Sequence, residues 1–345
     1  NLHRRGFSDE AIERNGYRSI SADFPWVNRY WKAKEQYQKL IPSIRKDNIL
    51  KRRTPERLIA GLIAASILAK CGCELRGVPG FFRIDGVWCF NLEPGMLIPT
   101  RNAVGQIVAL QVRRDKPSDW NDYCKRTGQN KEFLRYMTIS AKGLPDGVTT
   151  DISQAHFPLG NDSLDDPETA VCITEGPLKA DAAVELKGNR KIFFIALHGT
   201  SNTKTLPAIF AWLKGKGVET VFNVFDMDKV TNVNVAKAGK RVRAIAAGCG
   251  IKLAEKCWDA EYAQRKLSEL NAICCEHGIF VPTTFNVFTD LANVSQELAK
   301  RNIRHSRVKN ADGLEEKHYW SDKTKGIDDY LLSIRTATGG EGASA

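Results

Sequence analysis

Two aspartates one residue apart, Asp226 and Asp228, close the apolar run Val221-Phe222-Asn223-Val224-Phe225. Such a run predicts a buried strand, in which residues i and i+2 point to one side. Two carboxylates on one face repel each other and resist desolvation, so something must compensate them. A divalent cation would do so. A second acid, Glu175 in Glu175-Gly176, ends another short apolar run, and His198-Gly199-Thr200-Ser201-Asn202 follows a third. In open parallel sheets ligands bind at the carboxyl ends of strands, where these residues would meet. Oxygen-only carboxylate ligands suit Mg²⁺ or Mn²⁺ rather than zinc. Such an ion takes further ligands from phosphate, which is the equipment of phosphoryl or nucleotidyl transfer. Taken singly, an Asp-x-Asp is weak evidence, because aspartates at strand ends often cap the next helix. Its weight comes from the order of all the acids on adjacent elements.

The elements that must position these acids follow from the pattern after residue 168. Ala170–Thr174, Lys191–Leu197 and Thr220–Phe225 read as strands. Pro177–Lys187, Thr205–Lys214 and Val235–Ala247 read as helices. The alternation predicts an α/β fold, a mostly parallel sheet flanked by helices. Residues 250–290 read as extra helix and loop, Asp290–Lys300 as a helix and Ile303–Val308 as a last strand. The Gly- and Ala-rich 336–345 reads as a flexible tail.

Upstream the texture differs. Ser8 is placed to cap a helix, as is Thr54 with Pro55 behind it. The segment from Phe24 to Arg53 interleaves aromatic and basic residues; it could stack bases, but a half-buried surface helix is the favoured reading. From Gly77 to Arg114 strands and turns dominate. Gly105-Gln106 turns between Gly95–Thr100 and Ile107–Arg113, with Val108, Leu110 and Val112 expected inside. The polar stretch 161–168 marks a boundary, giving residues 1–160 as a basic α+β subdomain and 169–335 as the catalytic domain.

The 345 residues carry a net charge of +11. Residues 1–150 hold 26 Lys+Arg against 15 Asp+Glu, and residues 151–345 hold 25 of each. The excess is either a solvated surface or a face that tracks nucleic-acid phosphates. The longest apolar run, Leu58–Ala69, has twelve residues, too few to cross a bilayer. Nine scattered cysteines, with no signal peptide, point to a reducing cytoplasm. Cys71, Cys73 and Cys89 lack the paired spacing of a zinc site, so no zinc is expected. The chain begins at Asn1 with no initiator Met, as a piece of a longer protein would.

Longer segments carry a resemblance. "VCITEGPLKAD" (171–181), "IALHGTSNT" (195–203), "VFDMD" (224–228) and "KGIDDYL" (325–331) resemble a Toprim domain. "HRRGFSDEAIERNGY" (3–17), "MLIPTRNAVGQIVALQVRRD" (96–115) and "FLRYMTIS" (133–140) are similar to the polymerase core of bacterial DNA primases. The likeness spans roughly residues 2–332 and extends to primase-like Toprim proteins of phages and plasmids. It implies a metal ligand or general base at Glu175, a metal-binding pair at Asp226 and Asp228, and a further acid at Asp328. It implies nucleic-acid or nucleotide contacts from Arg101, Arg113, Arg114, Arg135 and Tyr136. Three departures stand out. Lys179 occupies a position where primases carry Asp, and so is expected to contact phosphate. Gly326 replaces the first acid of their Asp-Pro-Asp segment, and Thr138 replaces an Asn. Asp181 and Asp329 are the candidates to make up the missing acids.

The resemblance therefore implies a metal-dependent nucleotidyltransferase that makes primers on single-stranded DNA from nucleoside triphosphates. A replicative helicase is a possible partner, and the family's zinc-binding and helicase domains are expected outside this chain. Two alternatives stay open: a Toprim nuclease using the same acids, and a non-catalytic DNA-binding module. A topoisomerase would need a nucleophilic tyrosine in a separate domain, which nothing here picks out.

Overall fold

The structure, a computed structural model, describes residues 2–20, 30–91, 94–114, 135–150, 154–303, 307–309, 315–317, 320 and 324–337. The chain divides into two compact units. One comprises residues 13–102 and 106–152; the other comprises 1–12, 103–105 and 153–345.

The short helix α1 (Asp9–Asn15) begins as expected, with Ser8 Oγ accepting from Ala11 N at 3.2 Å. In the first of these units, helix α2 (Trp31–Lys46) carries the basic-aromatic segment, its Leu40 and Ile44 buried and its Trp31 exposed. Phe24-Pro25-Trp26 lie outside the described residues. Helix α3 (Pro55–Lys70) starts on the Thr54 cap, whose hydroxyl accepts from Arg57 N at 3.4 Å. Strand β1 (Arg18–Ile20) pairs with β4 (Gly95–Arg101), and β4 pairs in turn with β5 (Ile107–Arg113) and β5 with β6 (Tyr136–Thr138). The hairpin of β2 (Phe81–Ile84) and β3 (Val87–Phe90) turns on Asp85-Gly86, both at positive φ. A tight hairpin turn demands that conformation, and Asp-Gly supplies it at low cost.

One expectation fails within β5. Val112 is buried, but Val108 is exposed and Ala109 is buried instead. The register of β4 against β5 shifts between Thr100 and Arg101. Such an irregularity re-aims side chains, so strict alternation breaks at the hairpin end.

The other unit is built on a four-stranded parallel sheet: β7 (Ala170–Glu175), β8 (Ile192–Leu197), β9 (Thr220–Asn223) and β10 (Lys252–Glu255), in the order β10-β9-β7-β8. Helices on both faces explain why the strands are almost wholly apolar. On one face Val171, Ile173, Ile195 and Val221 pack against helix α5 (Leu206–Gly215) and helix α6 (Val233–Gly248). On the other, Cys172, Phe194 and Ala196 pack against helix α4 (Pro177–Leu186) and helix α9 (Ile327–Ala337). This is the α/β architecture the sequence pattern predicts.

Three details differ. Residues 250–290, read as helix and loop, supply the edge strand β10 as well as helix α7 (Ala260–Glu276). The four-residue run Lys252–Glu255 is too short and too polar to stand out; it is held by parallel pairing to β9. The last strand is not part of this sheet: β11 (Arg307–Lys309) pairs only with β12 (Glu315–Lys317) among the described residues. The polar stretch at 161–168 is pinned to β8. Asn161 bonds Phe194 N and O at 2.8 and 2.9 Å, and Asp162 accepts from Ile192 N at 2.7 Å.

Helix α7 and helix α8 (Val287–Lys300) enclose a third core with Met227, Val230 and Trp320. Met227, flanked by the two aspartates, is fully buried there. Met227→Ala is expected to cost about 2–5 kcal/mol, as deletion of a buried Met side chain does. Urea unfolding of wild type and variant checks it.

Candidate functional site

The carboxyl ends of β7 and β9 carry the predicted acids, but not by strand alternation. β9 ends at Asn223, and Val224 N still bonds Ile173 O at 2.9 Å. A 3-10 turn over Met227–Val230 then follows Asp226. The turn sends Met227 into the α7–α8 core and leaves Asp226 and Asp228 buried in the site. Met227 N donates to Lys325 O at 2.8 Å, tying the turn to the segment before α9. Trp258 Nε1 holds that segment through Thr324 O at 2.6 Å, and Thr324 Oγ1 donates to Asp259.

Glu175 is the last residue of β7. Gly176 follows at φ +83°, a conformation that favours glycine and turns the chain sharply into α4. Lys179, in the first turn of α4, comes back over the strand ends. Its ammonium donates to Asp226 Oδ1 and lies 3.4 Å from Glu175 Oε1. Lys325 lies 3.3 Å from Asp228 Oδ2 and 3.7 Å from Asp226 Oδ2. Arg5 donates to Asp328 Oδ2 at 2.6 Å. It reaches there because Gly6, at φ +88°, packs so closely on Leu186 that a β-carbon would lie 2.6 Å from Leu186 Cδ2. A β-carbon at Gly326 would lie 2.4 Å from Asp328 Oδ1 and 3.6 Å from Asp226 Oδ1. Asp328 and Asp226 therefore border one point, and the glycine leaves it open.

The electrostatics follow from burial. Burial pushes the Glu175 carboxyl up to about 7, with Asp226 and Asp228 adding to the rise and Lys179 opposing it. Burial also acts against the Asp226 anion, but Lys179 and Lys325 outweigh it and hold that carboxyl below its ordinary value. Glu175 and Asp226 share a hydrogen bond, and their environments push the two carboxyls in opposite directions. Burial works against the Lys179 charge, yet Asp226 and Glu175 overcome it and raise its pKa. Burial and the neighbouring Asp329 push Asp328 up to about 6.

Of the two substitutes expected for the missing acids, Asp181 is engaged elsewhere, whereas Asp329 stays beside the cluster, its Oδ2 3.1 Å from where a β-carbon at Gly326 would stand. Asp181 is buried on α4, its Oδ1 2.9 Å from His156 Nε2, a pair that braces α4 against the bridge from His156 to Ala196. Asp329 Oδ2 accepts from Gly326 N at 3.2 Å, the reach-back of an acid at the third helical position to the capping residue. His198, after β8, is held neutral at physiological pH: burial and His156 lower it to about 4. Sequence reasoning left Arg5 and Lys325 without roles, although both lie inside quoted motifs. Nothing in their spacing shows that their charges meet Asp328 and Asp228.

A divalent ion does not fit this donor set as it stands. Both oxygens of Asp226, one of Asp228, one of Glu175 and one of Asp328 already face Lys179, Lys325 or Arg5. Among the described residues no three His, Cys, Asp or Glu side chains are grouped so as to hold a metal ion. What remains are two buried carboxylate oxygens, Asp228 Oδ1 and Asp328 Oδ1, with no hydrogen-bond partner.

The predicted basic residues lie in the other unit, on the β4–β5–β6 sheet. Arg113 stands opposite Tyr136 across β5 and β6, and Arg114 N donates to Arg135 O at 2.8 Å. Arg113, Arg114, Arg135 and Tyr136 thus share one end of that sheet, with Tyr136 exposed. Arg101, at the opposite end of β4, contacts Asn15 O at 3.4 Å. Thr138 lines a cavity of about 220 Å³ together with Arg53, Asn91 and Lys142. Cys71 and Cys73 are exposed, whereas Cys89 is buried, its thiol pushed up to about 12 by burial. No helix among the described residues is long and apolar enough to cross a membrane.

No protein-family model and no curated protein matches the chain. Solved structures do. The zinc-binding and RNA polymerase domains of the Aquifex aeolicus primase match with 13% identity and a TM-score of 0.41, over 88% of this chain and 54% of that one. The E. coli primase catalytic core matches with 16% identity and a TM-score of 0.38, over 74% and 62%. A DNA primase domain from Pseudomonas aeruginosa matches with 14% identity and a TM-score of 0.40, over 73% and 61%. The chain thus spans between about half and two thirds of the length of these structures.

The shifted carboxyl gives a test of the site's electrostatics. A carboxyl whose folded pKa lies above its unfolded value binds an extra proton in the native state, so stability falls as pH rises through that window. For Glu175 the window runs from about 4.5 to about 7. Glu175→Gln, which cannot ionise, is expected to flatten that slope and to be more stable than wild type at pH 8. Urea unfolding at several pH values decides it; a slope equal to wild type would show that Glu175 does not titrate there.

Proposed function

We propose that this chain is a primase-like nucleotidyltransferase that works on single-stranded DNA with nucleoside triphosphates, in the replication of a phage, plasmid or other mobile element. The observation that carries the reading is the convergence of Glu175, Asp226, Asp228 and Asp328, from three separate segments, at the carboxyl edge of a parallel sheet. Buried acids gathered there at a cost to stability suggest a working site. In the reaction a 3′-hydroxyl attacks the α-phosphorus of a bound nucleotide. The O3′–Pα bond forms, and the bond from Pα to the pyrophosphate oxygen breaks. Glu175, titrating near neutrality, is suited to take the hydroxyl proton. Lys179 and Lys325 are suited to offset the charge gathering on pyrophosphate. Arg113, Arg114 and Arg135 would hold phosphates of the template, with Tyr136 stacking on a base. Mg²⁺ or Mn²⁺, which the resemblance implies, would accompany the triphosphate and offset its charge.

A second reading rests on that engagement. A cluster whose carboxylates are paired with Lys179, Lys325 and Arg5 also suits a module that binds DNA without transfer, within a larger replication protein that includes a helicase.

Single-stranded DNA of mixed sequence, labelled nucleoside triphosphates and Mg²⁺ or Mn²⁺, resolved on a denaturing gel, separates the readings. Short labelled products from wild type, absent with Asp226→Asn, support primer synthesis at this site. Cut template without added nucleotides moves the assignment to a nuclease, and bound but unchanged DNA moves it to the binding module. For the basic sheet, Arg113→Ala and Arg135→Ala are each expected to weaken single-stranded DNA binding and to lower the slope of log affinity against log salt by about 0.7, one phosphate contact on a single strand. Fluorescence anisotropy across a salt series measures that slope.

A further inference from the structure

We propose that Lys179 is the resident cation of the acid cluster: its ammonium occupies the place a divalent ion would take between Glu175 and Asp226, and so keeps such an ion out. The inference rests on the reading of this cluster as the working site, and it assigns Lys179 a role opposite to a passive phosphate contact.

The geometry is direct. Lys179 Nζ donates to Asp226 Oδ1 and lies 3.4 Å from Glu175 Oε1. A divalent ion held by the same oxygens would lie about 2.1 Å from each, leaving no room beside it for an ammonium. The second Asp226 oxygen faces Lys325 at 3.7 Å. A dication entering with Lys179 in place would sit against two ammonium groups inside a buried pocket, where like charges repel far more strongly than in water.

Charge balance points the same way. Asp226, Asp228 and Asp328 face Lys179, Lys325 and Arg5, so each of these buried carboxylates already has a cation of the chain beside it. A lysine in the first turn of a helix is placed against the helix dipole, so its position needs a strong local reason. Asp226 supplies it, with a side chain only 5% exposed. Of the spare acids, Asp181 is held by His156, and one oxygen of Asp329 is taken by the cap of its own helix. A side chain at Gly326 would collide with Asp328 Oδ1.

The test uses Mn²⁺ alone, titrated into the full chain and followed by the loss of its free electron paramagnetic resonance signal, so that no turnover is needed. Wild type is expected to show no Mn²⁺ site that depends on Asp226. Lys179→Asp, and Lys179→Ala as a second variant, are expected to gain one Asp226-dependent site, on the order of a hundredfold tighter than any residual Mn²⁺ association of wild type, a difference of about 2.7 kcal/mol. Adding Asp226→Asn to either should remove it. Melting curves give an independent readout: chelator should leave wild type unchanged, while Mn²⁺ should stabilise the lysine variants. A tight site in wild type that Asp226→Asn abolishes would overturn the proposal. So would folded lysine variants that gain no site, since something other than the ammonium would then exclude the ion. Should neither of these variants fold, Lys179→Gln, closer in size and without the charge, takes their place with the same two outcomes. Primer synthesis can fail with this result intact, and the reverse, so the two readings are separately testable.

Discussion

The ammonium of Lys179 lies against buried carboxylates, and the rest of the parallel-sheet unit is arranged around that contact. Asp226, Asp228 and Asp328 are each almost fully buried. Buried carboxylates close together are tolerated only when cations or protons compensate them. Here two lysines and one arginine of the chain supply compensation, while Asp228 Oδ1 and Asp328 Oδ1 keep no hydrogen-bond partner. Breaking such a pair costs far more than forming it gains, because the partner left behind is an uncompensated buried charge.

That constraint explains features which the sheet alone does not. Lys179 must come back over the strand ends, so the chain turns from β7 into α4 at a glycine with positive φ. Arg5 must reach Asp328, so the start of the chain packs on α4 and α9 through a glycine with no space for a side chain. Asp226 and Asp228 must share one pocket, so the segment after β9 folds into a 3-10 turn with Met227 as its anchor. Helices α7 and α8, an addition to the sheet, close the core that receives Met227. A further buried cation, Lys229, donates to Asn223 O at 2.8 Å and Lys256 O at 2.7 Å, joining the ends of β9 and β10 beside the same turn.

The basic unit follows a different logic. Its sheet is antiparallel, and Arg113, Arg114, Arg135 and Tyr136, half-buried or exposed, are gathered by strand pairing.

Sequence alone determined the alternation of strands and helices in residues 170–248, because strands buried on both faces must be apolar throughout and helices between them must show a stripe. It also determined the caps at Ser8 and Thr54 and the placing of Glu175, Asp226 and Asp228 at strand ends, since these depend on near neighbours in the chain. Tertiary structure decided what those acids face. Arg5 and Asp328 are 323 residues apart and Lys179 and Asp226 are 47 apart, and no local pattern encodes their pairing. The sequence likewise offered Asp181 and Asp329 as spare acids, because residue type and spacing say nothing of which partner is nearest. Packing gave one to His156 and the other to its own helix terminus, and placed an ammonium at the centre of the cluster.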